Sequence, residues 1–184
     1  LPSSLDGLEV LCLAAGGGKH GPLYAAAGAR VTVVDLSAAM LDLDRQVARE
    51  RKLHLELIQS SMDDLGMLKD GRFDLVIHPV SSCYLPSLAK LFVEIFRICR
   101  PGGSYMSQHK SPRNLQSSLQ PNSNGRYELV YPEVRSVDDS KALPPAPSSR
   151  LREVGTNEFI HSLTDIVGGI CHAGFCIKDF FEPS

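Results

Sequence analysis

"LCLAAGGGKHGP", residues Leu11 to Pro22, joins a short apolar run to three consecutive glycines, with a lysine, a histidine and a fourth glycine close behind. The run from Leu8 to Leu13 is too short for a helix and stops at the glycines, so it reads as a buried strand. Gly21-Pro22 then opens an alanine-rich helix, Leu23 to Ala27, with its proline near the start and Gly28 just past the end. A loop between strand and helix turns backbone N–H groups and the positive helix end toward any ligand. Glycines in series cost chain entropy unless something must approach the backbone closely. Phosphate, a dinucleotide or another adenosine-bearing cofactor would suit such a loop.

Outward from the loop, strands and helices alternate. Arg30 to Asp35 is β-branched and predicts a second strand. Ser37 caps a helix from Ala38 to about Lys52, whose outer face is expected to carry Asp42, Asp44, Arg45, Arg49 and Glu50. Leu55 to Gln59 and Phe73 to Ile77 predict the third and fourth strands. Ser87 to Arg100 repeats apolar residues at Leu88, Leu91, Phe92, Ile95, Phe96 and Cys99, an amphipathic helix ended by Pro101-Gly102-Gly103. Ser104 to Gln108 predicts a fifth strand. This alternation through short loops means an α/β, Rossmann-like, doubly wound and mostly parallel sheet with helices on both faces. Right-handed crossovers then bring the strands' carboxyl ends, and the ligand, to one edge.

Beyond Lys110 the pattern changes. Asn114 to Asn124 is polar, Tyr127 to Arg135 alternates like a strand, and 136–149 is a Pro/Ser-rich loop expected to be mobile. A helix from about Ser162 to His172 and a last strand, Phe175 to Phe181, close the chain. Residues 1–184 read as one domain.

Composition narrows the partners. A formal net charge of -2 without a basic stripe speaks against nucleic acid. No apolar stretch reaches the ~18 residues of a membrane span, and no signal-peptide pattern opens the chain. Cys12, Cys83, Cys99, Cys171 and Cys176 are scattered and odd in number. They read as reduced, mostly buried small hydrophobes of a cytoplasmic protein. Cys171 and His172 are helix neighbours pointing in different directions, so Cys171, His172 and Cys176 do not suggest a metal site.

Gly16, Gly18 and Gly21 satisfy the spacing of a dinucleotide fingerprint, while Lys19 followed by His20 departs from a phosphate-binding P-loop. Asp35 ends the second strand, where a carboxylate can accept hydrogen bonds from both hydroxyls of a ribose. "FDLVIHPVSSCYLPSLAKLFVEIFRICRPGG", Phe73 to Gly103, then runs strand, loop, amphipathic helix and Pro-Gly-Gly turn. Over Leu8 to Lys110 this succession resembles the class I S-adenosylmethionine-dependent methyltransferases, and within them small bacterial type 11-like members.

The resemblance implies a methyltransferase enzyme whose cofactor is S-adenosyl-L-methionine, acting on an unidentified small-molecule acceptor. It implies contacts from Ala14, Ala15, Gly16, Gly17 and Gly18 to the methionine half, and from Asp35 to the ribose. Leu36 would lie beside the adenine, Ser61 and Met62 at its edge, and His78, Pro79 and Val80 around the amino acid part and sulfonium. Cys12 and Ala14 depart from the acid and the glycine common in the family, and Ser61 from a frequent aspartate, with Asp63 close by. The family usually finishes its sheet with an antiparallel seventh strand. No sequence after Phe181 is long enough to form it, so the chain reads as extended at both ends in its native form, or as using Tyr127 to Arg135 instead.

Methyl transfer is an in-line displacement helped by alignment and water exclusion, and it needs a base only when the acceptor arrives protonated. His78 and His109 are the candidates for that base, with His20 and Tyr84 behind them. His78 is favoured because it ends the fourth strand before Pro79, yet each histidine reads more readily as a hydrogen-bonded group shaping the pocket. Tyr127, Tyr131 and Phe159 are candidate acceptor-lining rings. An NAD(P)-binding oxidoreductase is the first rival, weakened by the lack of a Tyr-x-x-x-Lys pair. A non-catalytic S-adenosylmethionine-binding module is the second. Oligomeric state is left open.

Overall fold

The apolar runs become five parallel strands: β1 (Glu9–Leu13), β2 (Arg30–Asp35), β3 (Leu55–Gln59), β4 (Phe73–His78) and β5 (Cys99–Ser107). A computed structural model describes residues 4–131, 142–144, 146 and 152–181. The sheet order is β3-β2-β1-β4-β5, so the chain winds outward from β1 to β3 and then crosses back to β4. That reversal lies between β1 and β4, and it opens a crevice at their carboxyl ends.

Two compact units are present, one of Leu1–Ser81 and Leu91–Gln108, the other of Ser82–Lys90 and His109–Ser184. The first holds the sheet with α1 (His20–Ala26), α2 (Ala38–Arg51) and most of α3 (Ala89–Ile98). Val10, Cys12, Val31, Val33, Leu75 and Ile77 cluster with Leu41 of α2, and Tyr24 and Ala25 of α1 pack on them. Leu11, Leu13 and Val76, which alternate with these along their strands, are also fully buried. Central parallel strands are covered on both faces, which explains their uninterrupted apolar sequence. Each such side chain contributes roughly 1.5–3 kcal/mol of burial. On the second face, Phe92 of α3 packs against the Tyr105 ring of β5 at 6.4 Å.

Local sequence sets the helix ends. Ser37 Oγ accepts the Met40 N–H at the start of α2, and Lys52 ends it in a left-handed turn. Asp44 corrects the sequence reading. Far from the outer face, it is 1% exposed and shares the buried side of α2 with Leu41 and Ala48. Positions three and four apart lie on one helix face, and this carboxylate is tolerated there because a backbone donor meets it. α3 stops at Ile98, short of the expected Arg100, because β5 already begins at Cys99. Pro101-Gly102-Gly103 does not end the helix but lies within β5 as an irregularity, where Phe73 pairs with Cys99, and Leu75 with Ser104. Phe96, in register with the apolar stripe of α3, is half exposed.

The second unit has a core of Cys83, Leu115, Leu143 and Ile160, with Tyr84 and Tyr131 packed against it. Cys83 belongs to a short helical turn, Ser82–Tyr84, and Leu115 to α4 (Pro112–Gln116). The sequence reading passed over α4 as polar, although Ser111 followed by Pro112 is a helix-start signal. The expected C-terminal helix forms as a wide π turn, Thr164–Gly168, running into α5 (Gly169–His172). Phe175 to Phe181 does not form the expected strand. Phe180 and Phe181 are largely exposed, and an alternating segment becomes a strand only against a pairing neighbour. Within 127–131 only Leu129 makes a bridge, antiparallel to Ser117 and apart from the sheet; 132–135 lie outside the described residues. Of the Pro/Ser-rich stretch 136–149, only 142–144 and 146 are described, and there Leu143 and Ala146 are buried. Cys12, Cys83 and Cys99 are buried as read, whereas Cys171 and Cys176 are exposed.

Candidate cofactor site

The glycine loop leaves β1 at the β1/β4 reversal. Ala14 takes a φ of 45°, and Gly16 and Gly18 take φ values of 67° and 76°, so the chain turns through left-handed geometry. Two of its N–H groups are used in holding the loop on α2. Gly18 donates to Asp44 Oδ1 at 2.9 Å, and Gly17 donates to the Met40 sulfur at 3.4 Å. Ala15 and Gly16 donate to no described residue. Gly16 also has open space where a Cβ would stand, so its backbone can be approached. Gly17 and Gly21 do the opposite, their missing Cβ atoms letting the loop and α1 close on α2 and β2.

Burial pushes the Asp44 carboxyl up, Asp35 reinforces this, and the Gly18 N–H opposes it. Burial also raises the Cys12 thiol to about 12, with Asp44 adding to it, so Cys12 is a neutral filler. Sequence reasoning missed Asp44. Its signal was an acid spaced three and four residues from Leu41 and Ala48 on the inward side of a helix.

Asp35 is half-buried at the carboxyl end of β2, where its Oδ1 accepts the Ser37 N–H at 2.8 Å. That bond fixes the carboxylate beside the loop. Leu36 (68% exposed) and Val80 (40%) present apolar surface at the ends of β2 and β4. After β3, Met62 is buried and the Ser61 hydroxyl donates to Asp63 Oδ1, so the serine and its acidic neighbour act as a pair. Arg97 of α3 braces this loop. It donates to the Leu65 and Leu68 carbonyls, each at 2.9 Å, and pairs with Glu94 at 2.8 Å and Asp70 at 2.6 Å. The sequence reading took Arg97 only as a helix residue.

His78 is fully buried, and its Nδ1 lies 2.8 Å from the Tyr105 hydroxyl. Pro79, next to it, is half-buried. Room beside Gly16, donors at Ala15 and Gly16, an anchored carboxylate at Asp35 and apolar flanks at Leu36 and Val80 fit an adenosine-bearing cofactor with an amino acid tail.

The methyltransferase domain family matches residues 11–107, from within β1 to the end of β5. The chain belongs to the class I S-adenosylmethionine-dependent methyltransferases. An uncharacterized methyltransferase, YbaJ of Bacillus subtilis, is 34% identical over 97% of this chain and 69% of its own length. A solved S-adenosylmethionine-dependent methyltransferase from Mesorhizobium loti shares the fold at TM-score 0.72 and 22% identity, covering 97% of this chain and 78% of that one. Geranyl diphosphate C-methyltransferase from Streptomyces coelicolor, solved with S-adenosyl-L-homocysteine, is 25% identical at TM-score 0.54 over 59% of this chain and 41% of that one. S-adenosylmethionine is therefore the cofactor of this methyltransferase. No helix among the described residues is long and apolar enough to cross a membrane.

The other candidate histidine of this methyltransferase, His109, belongs to the second unit, where its Nδ1 lies 2.8 Å from Ser82 Oγ. Burial, then His161, lowers its pKa from 6.5 to about 4. His161, whose Nε2 lies 2.9 Å from the Leu85 carbonyl oxygen, is lowered by burial too. Both rings are thus neutral at neutral pH. Between pH 6.5 and about 4 the unfolded chain binds a proton at His109 that the folded chain does not, so stability falls as the pH drops through that window. Urea midpoints should show this fall, and His109→Asn should flatten it. A wild-type midpoint constant across the window would remove the burial of His109 as its cause. Tyr127 is 45% exposed, while Tyr131 packs on the second unit's core and Phe159 donates its N–H to the Cys83 carbonyl at 2.7 Å.

Proposed function

We propose that this methyltransferase, one domain made of both units, methylates a small-molecule acceptor. S-adenosylmethionine supplies an electrophilic methyl group on a sulfonium. The chain's own residues bind and align. Ala15 and Gly16 offer N–H donors to the methionine part, Asp35 accepts from the ribose, and Leu36, Ser61 and Met62 surround the adenine. His78 is a positioning residue, since it is fully buried and tied to Tyr105, and it shapes the wall from which Pro79 and Val80 extend. His109, kept neutral by burial, is the group available to take a proton from a protonated acceptor. All five cysteines are free, which suits a cytoplasmic setting.

The observation that carries this reading is Asp35, held by Ser37 beside the glycine loop at the end of β2. Hydrogen bonds to a charged acceptor contribute about 1.5–3 kcal/mol. Asp35→Ala should therefore weaken S-adenosylhomocysteine binding by roughly 10- to 150-fold in calorimetry. Unchanged affinity would remove Asp35 from the site.

A further inference from the structure

Outside the cofactor site, the second unit buries a charged group that the binding of S-adenosylmethionine does not use. Arg152 is 3% exposed and Glu158 is fully buried. Arg152 Nε donates to Glu158 Oε2 at 2.7 Å, and Lys110 Nζ pairs with Glu158 Oε1. Each carboxylate oxygen thus serves a different cation. An arginine usually grips a carboxylate with two parallel N–H bonds, but here Lys110 holds the second oxygen. Nη1 and Nη2 are both buried and have no hydrogen-bond partner among the described residues. These four N–H donors make a planar fork.

Among the described residues, the surrounding groups supply no second buried anion. Lys110 and Arg152 outnumber Glu158 by one positive charge. Cys83, next to them, is pushed up to about 11, burial first, and stays a thiol. Tyr84 is raised by burial and bonded to Glu153, which is itself exposed. His109 and His161 are neutral. A buried charged donor group without partners among the described residues marks a place where a ligand completes the set. A neutral amide would supply an oxygen but leave the charge unbalanced. A carboxylate or a phosphate supplies two oxygens and the missing negative charge.

We propose that the Arg152 fork binds the carboxylate or phosphate of a small anionic ligand. The test uses the whole chain saturated with S-adenosylhomocysteine, titrated calorimetrically with benzoate and with inorganic phosphate at matched chloride. At least one anion should bind. The preferred one identifies the source, benzoate a carboxylate and phosphate a phosphoryl group. Arg152→Lys keeps a cation near Glu158 but loses the fork, so it should weaken that anion about tenfold. S-adenosylhomocysteine affinity should be unchanged. If neither anion binds, or both chains bind it equally, the inference fails while the cofactor site stands; loss of S-adenosylhomocysteine binding in the unaltered chain would fail the functional reading instead. Should Arg152→Lys not fold, crystals of the unaltered chain grown with the preferred anion decide. The anion within about 3.2 Å of Nη1 and Nη2 supports the proposal, and its placement elsewhere overturns it.

Discussion

Glu158→Leu should destabilise the chain by about 3–5 kcal/mol, the penalty for removing one partner of a buried ion pair. The size follows from what remains. Arg152 is as buried as the carboxylate that neutralises it, and Lys110 is nearly so, with 15% of its side chain exposed. Without Glu158 the two cations lose the carboxylate that pairs with both of them. Lys110 can swing toward water, while Arg152 is held inside. Glu158→Gln should cost less, because its amide oxygen still accepts from Arg152 Nε although the charge is lost. The double change Glu158→Leu with Arg152→Met should recover most of the loss, since apolar replacement of a buried pair is often neutral or better. Urea unfolding measures this as a lower midpoint at unchanged slope. A loss under about 1 kcal/mol for Glu158→Leu would mean that water reaches the pair.

The sheet was legible because its signals are local. Val31, Val33 and Val34 in β2, and the Phe73 to Ile77 run of β4, broken only by Asp74, state burial on both faces by composition alone. The glycine loop and Asp35 were legible as well, since backbone approach and a strand-end acid leave marks in a single segment. What failed depended on partners remote in sequence. Asp44 looks like a surface acid until Gly18 is brought to it from 26 residues away. Arg97 looks like a solvated helix end until the Leu65 and Leu68 carbonyls fold beneath it. Phe175 to Phe181 alternates like a strand, yet Phe180 and Phe181 stay exposed because alternation states a preference and pairing realises it. The Arg152–Glu158 pair was hidden more deeply. Nothing separates a buried arginine from an exposed one in sequence, and Lys110 joins it from 48 positions before Glu158.

Three consecutive glycines suggested one role, and the structure divides it into two. Gly16 faces open space and serves approach to the backbone; Gly17 faces α2 and serves packing. Gly17→Ala should accordingly be much more harmful than its small volume suggests. The added methyl would stand 2.8 Å from Leu43 Cβ and closer still to the Met40 carbonyl oxygen. Those atoms belong to the body of α2, not to the far end of a flexible side chain, so the loop must give way. Moving it by about an ångström disturbs the Gly18 N–H to Asp44 bond and leaves a buried carboxylate without its donor. Overpacking of this kind costs roughly 1–3 kcal/mol in stability. The functional loss should be larger, because a misplacement near 1 Å can reduce a reaction rate about 100-fold. Gly16→Ser provides the contrast, since its Cβ meets nothing within 4 Å but its positive φ disfavours any side chain. It should cost only about 1 kcal/mol in folding, from local strain, while still weakening the cofactor. Melting temperature and S-adenosylhomocysteine affinity, measured on both variants, separate the two roles. Gly17→Ala should lower both and Gly16→Ser chiefly the affinity; equal melting temperatures in the two variants would show that Gly17 does not pack against α2.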